Sequence, residues 1–153
     1  MRKYTFLSVL ILFALTSLAQ SARLKALNNY QIVQTFQDTT ITSVPLAVIN
    51  EQLIVNPFTG YFGQAGKAVG HFAKPLANDQ PQTDQGVWTV TSEGAFCITW
   101  NHWNNHEQVC WFIYELGNGY LFVNSTRNDF ASVILKNIKP GNHTGIAIQS
   151  DNH

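Results

Sequence analysis

The chain has 153 residues, nine lysines and arginines against nine aspartates and glutamates, and a charged fraction of 12% beside 45% apolar residues. That length supports one domain with a real core and not two. A charge balance near zero argues against nucleic acid or an anionic membrane as a partner, because both need a basic face.

Residues 1–19 read as a secretory signal. Arg2 and Lys3 make a positive start, residues 6–15 an apolar run too short for a membrane span, and Ser17-Leu18-Ala19 a small-residue cleavage site. No cysteine near the cut offers a lipid anchor. The expectation is a signal peptide at 1–19, a single exported β domain at 20–153 with its core at about 39–137, and a secreted or periplasmic location. Without Arg2 and Lys3, seven basic residues face nine acidic ones, a net charge near −2.

Leu24, Leu27, Gln31 and residues 32–36 show partial helical spacing. The Asn28-Asn29 pair reads as a break, so a short helix is expected at 23–28 and a second helical or irregular piece at 30–36. Strands follow: Ile41, Val44, Leu46, Val48 and Ile49 form one run, Asn50-Glu51 a turn, and residues 53–55 the next. Pro45 inside the first run points to an edge strand or a bulge. Gly60, Gly63, Gly66 and Gly70 lack the phosphate-loop spacing and read as a hairpin with tight turns. Residues 75–85 (PLANDQPQTDQ) read as a long polar loop.

Residues 86–126 hold all four tryptophans and both cysteines. Strands are expected at 87–91, 95–100, 107–116 and 120–124, with turns between them. Placing Cys97 opposite Cys110 sets Ile98 against Val109, Trp88 against Ile98 and Val90 against Phe96. One face then carries Trp88, Val90, Phe96, Ile98, Trp100, Val109, Trp111 and Ile113. The other carries threonines and the cysteines. A slip by one residue would destroy this sorting. The next hairpin, centred on Asn118, is expected to pair Tyr114 with Phe122 and Leu116 with Tyr120. Those residues and Phe112 would make a second aromatic cluster outside, which is either covered by the N-terminal helix or is a contact site. Residues 131–136 read as a last strand, with Val133 and either Ile134 or Leu135 inward.

Two cysteines behind a signal peptide make a Cys97–Cys110 disulfide the default. Eight or nine short strands and a helix at one end give the expected fold. It is mainly β: a small antiparallel barrel or half-open barrel of about eight strands, with a short N-terminal helix and one disulfide.

The run Gly86-Val87-Trp88, then Cys97-Ile98-Thr99-Trp100, Cys110-Trp111 and Gly117-Asn118-Gly119-Tyr120, with Gly60-Tyr61-Phe62 upstream, resembles a class of small exported proteobacterial domains of unassigned function. The resemblance covers roughly residues 39–136. It implies an architecture and no activity. The histidine-bearing loop at 101–106 is not part of that pattern.

That loop is the sharpest chemical feature. His102, His106 and Glu107 stand within six residues, and imidazole with carboxylate suits zinc or copper; His71 or His143 would have to complete the set. No other cofactor is expected. Trp103 at the loop tip is a candidate anchor for a protein or a sugar ring. The candidate binding residues are Trp103, His102, His106, Tyr114 and Phe122. No catalytic residue is assigned: the cysteines are committed to the disulfide, and Glu107 beside His106 sits at an exposed tip where a tuned pKa is not expected. The expectation is a non-catalytic exported binding domain, monomeric, that recognises an unidentified protein or glycan at the envelope or outside the cell, a hydrolase inhibitor being one form. The alternatives are a small-ligand carrier and a metal-binding protein.

Overall fold

The computed structural model describes residues 24–49, 52–76, 81–124, 126 and 129–148. The expected signal segment, Arg23, the 50–51 turn and the middle of the 75–85 loop lie outside the described residues. Helix α1 (Asn29–Phe36) leads into β1 (Thr39–Ile49). There follow β2 (Gln52–Val55), β3 (Phe58–Phe62), β4 (Lys67–Phe72), β5 (Thr83–Val90), β6 (Ala95–Trp100), β7 (Gln108–Leu116), β8 (Gly119–Asn124), β9 (Asp129–Ile134) and β10 (Ile138–Pro140). From β3 to β9 each strand pairs antiparallel with the next, and β9 returns to β1. β2 and β3 lie in line along one edge of β1, with Leu46 opposite Val55 and Ser43 opposite Phe58. β9 and β10 share the other edge, parted by the 3-10 turn Leu135–Asn137. The result is a closed antiparallel barrel of eight strand positions. Closure leaves no long unpaired edge for another chain to extend.

Pro45 is not on an edge strand. It pairs with Ala131 of β9. On its other side the ladder between β1 and the β2–β3 arm is interrupted, from Ser43–Phe58 to Leu46–Val55. Pro57 falls in the same interval. Both prolines lack an N–H and both fall in the interval where the ladder is interrupted.

The Asn28-Asn29 pair starts the helix and does not break one. The Asn28 side chain accepts from the Gln31 N–H (2.9 Å), and the Gln31 side chain accepts from the Asn28 N–H (3.0 Å). This reciprocal cap settles the start of the helix. The expected helix at 23–28 is replaced, over its described residues, by an extended approach in which Ala26 bridges to Tyr114 and the Leu27 N–H bonds the Ile113 carbonyl (2.8 Å). Ile32 and Phe36 are fully buried.

The central register is the expected one: Cys97 faces Cys110, Ile98 faces Val109, and Trp88 faces Ile98. The disulfide joins Cys97 and Cys110 directly across β6 and β7. The β7–β8 hairpin differs by one residue. Tyr114 faces Leu121 and Ile113 faces Phe122, so Phe122 and Tyr120 turn inward. The reason is Gly119. A Cβ there would lie 2.3 Å from the Val133 carbonyl oxygen on β9. Gly119 is therefore a strand residue at a close approach, and the turn is Gly117-Asn118 alone. On β9, Val133 is inward, as expected, and Ile134 is exposed.

Aromatic rings fill the interior in two layers. At the helix end, Phe36 packs on Phe122 and Tyr120, and Phe96 lies against Phe62 and Trp88, with ring centres 4.9–5.5 Å apart. At the other end, Phe58, Phe72, Trp100 and Trp103 form a second group with centres 4.8–6.2 Å apart. Such pairs contribute about 0.5–1.5 kcal/mol each beyond the area they bury. Phe58 reaches across the interior because Gly60 and Gly70, directly opposed, leave it room; a Cβ on either would come within 2.6 Å of its ring.

At the helix end, Asp38 turns the chain from α1 into β1 with φ at 56°. Its carboxylate accepts the Tyr61 hydroxyl. That hydrogen bond, with burial and the carboxylate charge, pushes the Tyr61 pKa up to about 12.

Candidate functional site

The loop that joins β6 to β7 closes the end of the barrel opposite the helix. Its organiser is Asp84. On β5, Asp84, Gly86, Trp88 and Val90 alternate inward, so the carboxylate lies at the inner rim with its side chain 1% exposed. Oδ2 accepts the backbone N–H groups of His102 (2.8 Å) and Trp103 (2.9 Å). Oδ1 accepts the Gln85 N–H (2.8 Å) and meets Nδ1 of His102 at 2.9 Å. Burial pushes the Asp84 pKa up, but the hydrogen bonds from the His102 ring and from the His102, Trp103 and Gln85 N–H groups outweigh it. The carboxyl stays below its usual range. Asp84 is therefore ionised at neutral pH and can only accept, so the Nδ1 of His102 carries a proton and donates it.

Trp103 completes the closure. It is 3% exposed, packs on Phe72 and Trp100, and donates its indole N–H to the Pro81 carbonyl (2.6 Å). Beyond it the chain makes a left-handed turn: Asn104, Asn105 and His106 have φ of 54°, 55° and 63°. Asparagine tolerates this region and histidine less so, at a cost on the order of 1 kcal/mol per residue. The turn brings the His106 ring to 6.5 Å from that of His102. Both histidines are exposed. Beside them Pro81, Thr83, Asp84, Gln85, Asn101, His102 and Ile146 line an open groove of about 360 Å³.

A second surface stands apart from this loop. On the outside of β7, β8 and β9, the alternation presents Phe112, Tyr114, Leu116, Leu121, Phe130 and Ile134, with Val44 of β1 beside Ser132. Leu116, Phe130, Ile134 and Val44 are 53%, 40%, 37% and 38% exposed. None of these positions carries a charge. Their inward neighbours Ile113, Phe122 and Val133 are buried, so the core does not need the outer set.

The expected binding residues are thus dispersed. His102 and His106 share the loop end. Trp103, expected as a contact at the tip, is part of the core, because its indole fills the barrel mouth. Phe122, expected outside beside Tyr114, is inside for the register reason given above. Tyr114 lies on the uncharged outer face. Glu107 is exposed next to His106, and its N–H bonds the Asn104 carbonyl (2.9 Å). His143 is held elsewhere, its ring nitrogen 2.8 Å from the Pro140 carbonyl. Among the described residues no group of three or more His, Cys, Asp or Glu is placed to share a metal ion, and no helix is long and apolar enough to cross a membrane.

Asp84 is passed over in the sequence because residues 83–85 read as loop. They are the start of β5, paired with His71, Gly70 and Val69. The signal was present: Asp84 is in phase with Gly86 and Trp88, an acid on an inward-facing series. Protein-family models, curated proteins and solved structures contain no match to this chain.

Proposed function

We propose that this is an exported, non-catalytic domain that binds another protein through the uncharged outer face of β7, β8 and β9. Export is supported by the character of residues 1–19 and by the Cys97–Cys110 disulfide, which suits an oxidising compartment. The observation that carries the binding reading is the face itself. Exposed apolar patches mark contact surfaces, and a domain whose rings already fill its interior gains nothing from this one when alone.

The chemistry of the face selects the occupant. A glycan needs several hydrogen-bonding groups, and the face offers the hydroxyls of Tyr114 and Ser132. An anionic membrane needs basic residues, and none of the described positions on the face is basic. A protein surface with aliphatic and aromatic side chains of its own fits, with Tyr114 and Phe130 as the central anchors. A standard interface takes roughly 800 Å² from each partner, so this face would be the dry centre of a wider contact.

A photo-crosslinking residue placed at Leu116 or Ile134 in the exporting host tests this, with Val87 as control, since Val87 is 48% exposed on β5, outside the β7–β9 face. The expected result is an adduct of one discrete added mass from Leu116 and Ile134, absent at Val87 and absent when Phe130→Glu is introduced. An adduct at all three sites, or at none, overturns the reading. An adduct of twice the chain mass replaces the foreign partner with a second copy.

A further inference from the structure

His102 is exposed, yet its ring is not free to choose a tautomer. The ionised Asp84 holds the proton on Nδ1 (2.9 Å), so the neutral imidazole presents the lone pair of Nε2 to solvent. A buried carboxylate behind an imidazole is the arrangement that orients histidine ligands at metal sites and raises their basicity. The left-handed turn at 104–106 then returns a second imidazole to the same side, ring centre 6.5 Å away.

We propose that His102 and His106 form an open copper(II) site on the barrel rim, with Nε2 of His102 and one ring nitrogen of His106 as the protein ligands and solvent completing the sphere. The reach is compatible. At a metal–nitrogen distance of about 2.0–2.1 Å, two ligating imidazole centres stand up to roughly 6 Å apart. The observed separation closes by a small side-chain rotation, which exposed rings make freely. The backbone is already in place, because Asp84 fixes 102 and 103 and the Asn104 carbonyl accepts the Glu107 N–H behind the turn.

The ligand set selects the metal. Both sulfurs are in the disulfide, so no thiolate is available for a soft ion. A structural zinc site needs four protein ligands, and the described residues bring no third His, Cys, Asp or Glu into range. Two imidazoles with oxygen or water in the remaining positions suit tetragonal copper(II), which also heads the affinity order of the divalent series. Asp84 is a positioning residue here: it touches the ring of His102 and not the metal.

Titration of the disulfide-intact mature chain with copper sulfate, read by electron paramagnetic resonance, tests this. The expected result is one tightly held equivalent with hyperfine splitting from two imidazole nitrogens. His102→Ala and His106→Ala should each remove one nitrogen and weaken binding at least tenfold, and both side chains are exposed, so the fold should survive. Asp84→Asn should weaken binding by about 10–100-fold with both nitrogens retained. His71→Ala and His143→Ala should change nothing. Undiminished copper binding in the His102→Ala/His106→Ala double variant, through the terminal amine or another histidine, overturns the proposal. So does the lack of a stoichiometric equivalent in the wild-type chain, or displacement of copper by equimolar zinc. None of these outcomes bears on the β7–β9 face, which the crosslinking experiment tests separately.

Discussion

At the scale of single residues, Asp84 holds the most structure per atom. One buried carboxylate takes four hydrogen bonds and fixes both the His102 ring and the backbone that seats Trp103. Asp84→Ala would leave those donors buried or facing an empty site, and should cost about 3 kcal/mol by urea denaturation. His102→Ala, which removes an exposed partner, should cost less than about 1 kcal/mol. The pH dependence follows from the sign of the shift. The folded-state pKa of Asp84 lies below its unfolded value, so the unfolded chain takes the proton first. The contribution is complete above about pH 5, is lost as pH falls below about 4 through the folded-state value, and is absent below both. Urea midpoints of wild type and Asp84→Asn should stay apart above about pH 5 and draw together as pH falls below about 4. Parallel curves would show that the carboxylate's charge is not what matters. None of this was legible from composition. The inward phase of Asp84 could be read from the strand alternation, but its partners arrive from a loop eighteen residues on.

At the scale of elements, the β3–β4 hairpin shows how glycine makes room for an aromatic interior. Gly60 and Gly70 face each other, and the Phe58 ring lies against both. Gly70→Ala should destabilise by about 2 kcal/mol, because the new methyl would meet the Phe58 and Trp100 rings. Trimming the ring with Phe58→Leu should recover part of that loss in the double variant, since the two sites share one space. Equal and additive losses would show that Phe58 is not the obstacle. The hairpin itself was legible from glycine spacing, and so was the register of β5, β6 and β7, because only one register sorts apolar from polar. The β7–β8 register was not. Gly117-Asn118-Gly119 admits a two- or a three-residue turn, and the choice rests on the approach of β9 to Gly119, a contact that local sequence does not contain.

At the scale of the whole molecule, closure places β1 and β3 to β9 each between two neighbours, and the disulfide ties one pair of them from outside. Cys97 and Cys110 are thirteen residues apart. In the chain-entropy account a loop of about that length stabilises by about 3 kcal/mol. Reduction, or the Cys97→Ala/Cys110→Ala pair, should lower the urea-derived stability by about 2–3 kcal/mol and leave the circular dichroism of the barrel intact, because the two aromatic layers lie on the other face of the sheet. Collapse of the β signal on reduction would mean that the rings alone do not hold the barrel.

The amino-acid sequence by itself determined the class of fold, the cross-strand disulfide and the two faces of β5, β6 and β7. Those follow from alternation with period two and from turn residues, both of which are local. The tertiary structure alone decided three further things. It showed that Trp103 is a plug, because the rings that receive it come from β3, β4 and β6. It showed that the Asn28-Asn29 pair caps a helix whose Ile32 and Phe36 the barrel buries. It set Tyr114 on an uncharged face while Phe122 went inside, because the turn between them is chosen by a third strand. Each of these depends on which distant segments become neighbours when the sheet closes, and closure is a property of the whole chain.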